Sequence, residues 1–221
     1  FLQEPAGDAK GDDPLVEVVA EWIGRERGIS ILDFAGVPET AADLAIGVIL
    51  NLLFEVAIRS KDKGIGRPSP VLIVLEEAHR YLGEAASALT RRSANRIARE
   101  GRKYGVGLLL VTQRPAELPD TALAQCGTLI ALRLANQSDQ GTIASALPDT
   151  VSGLAAVLPS LRTGEAIVSG ESVVVPARVL INRPEPAPRA DDPSLEPWRK
   201  DPQVPDLVPA IADWRGVYDS G

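Results

Sequence analysis

Four segments of this chain are short apolar runs that do not alternate between apolar and polar positions: GISILDFAG (28–36), VLIVLEE (71–77), GVGLLLVTQRP (105–115) and TLIALRLAN (128–136). A strand with one wet face reads in-out-in-out, whereas a strand buried on both faces reads as a continuous apolar run. The stretches between these runs have helical spacing. Leu15–Arg27 follows Pro14 at the first helical position, with acids early and Arg25 and Arg27 late. Thr40–Arg59 carries Leu44, Val48, Leu52, Leu53 and Val56 at intervals that mark a buried helix. Tyr81–Tyr104 is largely helical in propensity, and further helices are expected over 120–125, 138–147 and 150–158. Strand and helix therefore alternate through residue 158, the pattern of an α/β fold built on a mostly parallel sheet flanked by helices. GEAIVSG and SVVVPARVLIN then read as a hairpin turning at Gly170 and Glu171.

Three regions follow. Residues 1–13 are polar and rich in Gly and Asp and read as a flexible segment; 14–182 form the α/β domain; 183–221 are a Pro-rich extended tail. An aromatic in such a tail either pins it to a groove or leaves it disordered with the rest, and Trp198 and Trp214 occupy that position here.

The formal net charge is −7, so the chain as a whole is no general attractor of nucleic acid, and any contact with DNA must come from a local basic patch or from assembly geometry. The single cysteine, Cys126, allows no internal disulfide, and with no secretory signal in view a reducing, cytoplasmic setting is expected. Uninterrupted apolar runs such as 106–111 are too short to span a bilayer, so no membrane contact is expected. Cys126 reads as a small packing residue. His79, the only histidine, reads as a hydrogen-bonded packing residue with no second His or Cys nearby to make a metal site.

In open parallel sheets, ligands bind at the carboxyl ends of the strands. The runs end there in Asp33, in Glu76 and Glu77, in Thr112, Gln113 and Arg114, and in Arg133 to Asn136. A carboxylate pair at such an edge suits phosphoryl transfer: Glu76 would hold Mg²⁺ through its water shell, and Glu77 would polarise a water for attack on a γ-phosphate. Gln113, on a neighbouring strand, would contact that water or the phosphate. A plainer reading makes the two acids the favourable start of the next helix. Arg92, Arg96, Arg99 and Lys103 form a basic stripe at helical spacing, for which a solvated face is the plainer account. Arg102, just before the break at Tyr104 and Gly105, is placed to reach a phosphate in its own subunit or a neighbour's.

The ordered set ILDFAGVP, VLIVLEEAHRYL, ANRIAREGRKYGVGLLLVTQRPAELP, TLIALRLANQSDQ and RTGEAIVSGESVVVPARV resembles the C-terminal part of a HerA-type ATPase, of the HerA/FtsK superfamily, over residues 28–198. The resemblance implies a RecA-like fold of the P-loop NTPase type, ATP and Mg²⁺ as cofactors, and translocation of double-stranded DNA by a homo-oligomeric, hexameric ring. It implies DNA end processing or anti-phage defence with a nuclease or effector partner, such as a NurA-like nuclease. It makes Glu76 and Glu77 the Walker B acids, Gln113 the sensor, and Arg102 an arginine reaching a nucleotide across the subunit interface. Arg133, with Asn136 and Asp139, falls in a family motif of interface or nucleotide-coupling character. The hairpin and tail after Gly164 would brace a neighbouring subunit.

The pattern G-x-x-x-x-G-K-[ST] is absent from the sequence. We therefore expect the chain to begin downstream of the phosphate-binding loop of a longer protein and to be inactive alone. Two other readings stand beside this one: a secretion or conjugation motor of the same superfamily, and a degenerate ATPase domain serving as a scaffold.

Overall fold

The structure is a computed structural model that describes residues 13–23, 28–60, 64–186 and 206–215. The chain divides into two units, Phe1–Ile181 and Asn182–Gly221.

In the first unit, helix α1 (Pro14–Trp22) starts where Pro14 cannot donate and the Asp13 carboxylate accepts from the Leu15 N–H at 2.9 Å. The sequence pattern carries this helix to Arg27, but 24–27 lie outside the described residues. Helix α2 (Glu39–Arg59) buries Ile46, Leu50, Leu53, Phe54 and Ala57 at three- and four-residue intervals. It is long and apolar enough to cross a membrane by composition, yet this stripe makes it the central helix of a packed core.

Strand β1 (Val71–Leu75) pairs in parallel with β2 (Val106–Leu110), Val71 opposite Val106 through Leu75 opposite Leu110. Helices α3 (His79–Leu82) and α4 (Ala88–Tyr104) connect them. The expected single helix over 81–104 is broken at Gly83, which ends α3, and at Ser87, whose hydroxyl accepts from the Thr90 N–H at 3.2 Å and starts α4. Asp43 of α2, itself buried, accepts from the Ser87 N–H at 2.7 Å, and its carbonyl accepts from the Thr90 hydroxyl at 2.7 Å. A second α2–α4 tie joins Glu55 to Arg96, whose guanidinium lies 5.1 Å from the centre of the Phe54 ring. Arg96 first, and Arg59 after it, holds the Glu55 carboxyl below the usual carboxylate range.

A 3-10 turn (Pro115–Glu117) and the short helix α5 (Asp120–Leu123) follow β2. Strand β3 (Thr128–Ala131) comes next, then α6 (Gln137–Ala146), a 3-10 helix (Asp149–Ser160), β4 (Glu165–Gly170) and β5 (Ala177–Leu180). β3, β4 and β5 form an antiparallel sheet in that order. A second apolar cluster, including Ile143, Leu147, Leu158, Leu161 and Ile167, packs under it.

The α/β class with a parallel sheet, flanking helices and a C-terminal hairpin is observed, and two strand assignments change. Residues 28–33 form no strand, with Ile29 76% and Ile31 87% exposed. An apolar run becomes a strand only where a neighbouring edge completes its hydrogen-bond ladder, and no described residue offers 28–33 one. β3 pairs antiparallel with β4 rather than joining β1 and β2, so the parallel sheet has two strands among the described residues. One face of that sheet, through Val71, Ile73, Leu108 and Leu110, packs on the α2–α4 core. The other presents Leu72, Val74, Leu109 and Val111 to solvent. The two-sided burial that the sequence predicts is met on one side only.

In the second unit the described residues include a helix, α7 (Val208–Trp214), within the stretch expected to be extended. The expectation for 1–13 falls, but for Asp13, outside the described residues, as does Trp198.

Gly105 sets the handover from α4 to β2. It ends the helix at φ 71°, and a Cβ there would lie 2.4 Å from the carbonyl carbon of Gly66. Gly105→Ala is expected to destabilise the fold by about 1–3 kcal/mol from strain and overlap together. A lower denaturant midpoint with an unchanged m-value would show it; an unchanged midpoint would contradict this account of the junction.

Candidate active site at the ends of the parallel strands

The backbone pairing continues past both strands with one extra residue on the β1 side, at Glu77. The Val111 N–H donates to the Leu75 carbonyl at 2.9 Å, and the Ala78 N–H donates to the Val111 carbonyl at 2.9 Å. These bonds fix the exit of β1 against the exit of β2. Ala78 is fully buried, and the chain turns into α3 directly after it. To make that turn, Glu77 adopts φ 50°, the one positive φ at a non-glycine among the described residues. Such a conformation costs on the order of 1–3 kcal/mol and persists only where its surroundings hold it.

The Gln113 amide donates to Glu77 Oε1 at 3.0 Å. His79 Nδ1 lies 3.4 Å from Glu77 Oε2 and 3.0 Å from the Thr112 hydroxyl, which also accepts from the Arg114 N–H at 3.0 Å. Glu77, His79, Arg80, Gln113, Arg114 and Glu117 line one open cleft at this edge. Arg114 is turned to Glu117, donating to Oε1 at 2.8 Å.

Of the acids and partners read from sequence, the structure brings Glu77 and Gln113 together. Glu76 is exposed and makes no hydrogen bond or ion pair among the described residues. Arg102 lies elsewhere. It is in the last turn of α4, at the start of β2, while Gln113 follows the end of that strand. At about 3.3 Å per residue, β2 alone places them more than about 13 Å apart. The Arg102 side chain is 94% exposed and 3.8 Å from Glu171, at the β4–β5 turn. The basic stripe is partly engaged, since Arg96 is held by Glu55.

Arg133 is exposed and unpartnered among the described residues. Asn136 caps α6, accepting from the Ser138 N–H at 2.9 Å. Buried Asp139 accepts from the Ala116 N–H at 3.0 Å and so anchors the loop that follows Gln113. Asp139 alone of the three thus supports the loop that carries Arg114 and Glu117 to the cleft.

The sequence reading places Thr112 at this edge without a role and takes His79 for a packing residue. The signal for them is strand pairing: with Leu75 opposite Leu110, the exits of β1 and β2 bring residues 77–79 close to 112 and 113.

The arrangement fits one end of a nucleotide site. A carboxylate held by an amide can accept a proton from water beside a phosphate. Mg²⁺ keeps several waters and takes one or two carboxylates alongside phosphates, which suits an exposed acid such as Glu76. The other end, a glycine-rich cradle with its lysine, has no counterpart in the sequence.

Residues 29–185 match the family model described as Helicase HerA-like C-terminal. The chain belongs to this family. It is 34% identical over 188 residues to the DNA double-strand break repair helicase HerA of Sulfolobus acidocaldarius, covering 84% of this chain and 38% of that protein. It is 38% identical over 194 residues to the protein of that name from Saccharolobus solfataricus, covering 86% and 38%. The chain thus spans less than two-fifths of the length of these relatives. Among solved structures it is similar to the DNA-packaging ATPase of Sulfolobus Turreted Icosahedral Virus, with a TM-score of 0.52 over 73% of this chain and 70% of that one. At 13% identity that likeness is one of fold.

Asp139→Ala would leave the Ala116 N–H without its partner. A loss of about 1–2 kcal/mol in unfolding free energy is expected from denaturant titration. Unchanged stability would show that Asp139 does not hold the loop.

Proposed function

We propose that this chain is the catalytic C-terminal part of a HerA-type motor ATPase. The motor hydrolyses ATP and translocates double-stranded DNA as a homo-oligomeric, hexameric ring in the cytoplasm, in DNA end processing or anti-phage defence beside a nuclease or effector. The observation that carries the reading is the 3.0 Å contact between Gln113 and Glu77, made across the ends of two parallel strands and opening into a cleft. Membership of the HerA family supports it.

In this reading Glu77 accepts the proton of the attacking water. Gln113 fixes the carboxylate before nucleotide arrives and then faces the γ-phosphate. Glu76 meets Mg²⁺ through water; the bound ion supplies charge neutralisation on the phosphates. Binding energy for the triphosphate comes from a phosphate loop elsewhere in the longer protein, so this chain alone does not turn over ATP. The position of Arg102 at the far end of β2 favours action in trans: its exposed guanidinium serves the nucleotide of the adjacent subunit. A scaffold has no use for a strained glutamate held by a sensor amide. The net charge of −7 does not oppose DNA binding, because in a ring only the pore needs to be basic, and its contacts go to phosphates.

In the full-length protein, Glu77→Gln should abolish turnover while ATP binding, followed by a fluorescent analogue, is retained; wild-type turnover in that variant would refute the assignment. Arg102→Ala should also abolish turnover. Mixing the two variants should restore part of the activity, because a mixed ring contains interfaces with an intact Glu77 facing an intact Arg102. No rescue at any ratio would contradict action in trans.

A further inference from the structure

We propose that His79 is the positioning residue for Glu77. Its ring, fixed by the Thr112 hydroxyl, turns a proton on Nδ1 toward the second carboxylate oxygen. This deepens the reading in which Glu77 accepts a proton from water, and rests on it.

Two contacts meet at one ring nitrogen, and a third meets its hydroxyl partner. His79 Nδ1 lies 3.0 Å from Thr112 Oγ1 and 3.4 Å from Glu77 Oε2, and Thr112 Oγ1 already accepts from the Arg114 N–H at 3.0 Å. A bare Nδ1 lone pair turned toward a carboxylate oxygen at that distance is repelled, whereas an N–H is attracted. A hydroxyl oxygen has two lone pairs, so after accepting from Arg114 it can still accept from His79. The geometry therefore selects the form with the proton on Nδ1. That proton goes mainly to Thr112 and leans on Glu77.

The effect on Glu77 follows. Gln113 holds Oε1 and His79 faces Oε2, so the carboxylate plane is set from both sides. Its backbone is strained at φ 50°, a conformation that persists only where its surroundings hold it. The His79 side chain is only 11% exposed, against 37% for Glu77. The ring is therefore the fixed member of the pair and the carboxylate the one open to the cleft. α3 begins at His79, so the start of the helix places the ring beside the acid.

The test uses the full-length protein and separates Nδ1 from Nε2. An Asn side chain places its amide N–H near Nδ1; a Gln side chain places its amide near Nε2. His79→Gln and Thr112→Val should each lower kcat about tenfold, with KM for ATP and the thermal midpoint unchanged, the size of one lost positioning hydrogen bond. His79→Asn should stay within about threefold of wild type. Combining His79→Gln with Thr112→Val should cost little more than either alone, because both break one chain of contacts. Glu77→Gln is measured in parallel. If it is inactive while His79→Gln and Thr112→Val turn over at the wild-type rate, His79 does not position Glu77. Equal losses for Asn and Gln, or a kcat loss matched by a fall in thermal midpoint, would also overturn the proposal. Wild-type turnover in Glu77→Gln would overturn the assignment of Glu77 itself.

Discussion

The site depends on the parallel pairing of β1 with β2. Five residues on each strand stand in register, and two further backbone hydrogen bonds, at Val111 and, one residue out of step, at Ala78, tie the strand exits together. In a pleated sheet a slip of one residue would turn each side chain to the opposite face. Glu77 would then leave Gln113, and Val71, Ile73 and Leu75 would leave the α2–α4 core. The apolar pattern that fixes the core therefore also fixes which acid meets which amide. The register is held at its other end by Gly105, where the close approach of the Gly66 backbone excludes a side chain.

The α2–α4 pair gives this short sheet its rigidity. Asp43 ties the start of α4 to α2, Glu55 and Arg96 tie its middle, and Phe54 and Tyr104 meet edge to face at 5.7 Å near its end. α4 thereby delivers β2 at a set position. The opposite face of the sheet, with Leu72, Val74, Leu109 and Val111, is bare, and Ile29 and Ile31 of the 28–33 run are exposed as well. Covering a Leu or Val side chain fully contributes roughly 1.5–3 kcal/mol.

Much of this is legible in the sequence, and the reason is local. Continuous apolar runs ending in EE and TQ identify buried strands with polar ends, and a shared parallel register brings such ends together. Glu77 and Gln113 follow from that alone. The structure differs where the outcome depends on partners that a pattern does not specify. ILDFAG has the composition of a buried strand but no adjacent edge among the described residues. TLIA has the same composition, yet β4 captures it in antiparallel pairing. The ends of a helix also depend on single residues: Gly83 and Ser87 interrupt a stretch whose propensity is helical throughout. His79 reads as a packing residue in sequence because its partner, Thr112, is 33 positions away and becomes visible only through strand register. Arg133, Asn136 and Asp139 read as one functional cluster; capping and loop anchoring occupy Asn136 and Asp139, leaving Arg133 free among the described residues.

The central claim is that the γ-phosphate of ATP docks where β1 and β2 end. A crystal structure of the full-length protein with a non-hydrolysable ATP analogue measures this directly. The account places the terminal phosphate about 3 Å from the Gln113 amide, with a water between it and the Glu77 carboxylate. A terminal phosphate bound at any other edge of the sheet, with Glu77 and Gln113 still bonded only to each other, would contradict it.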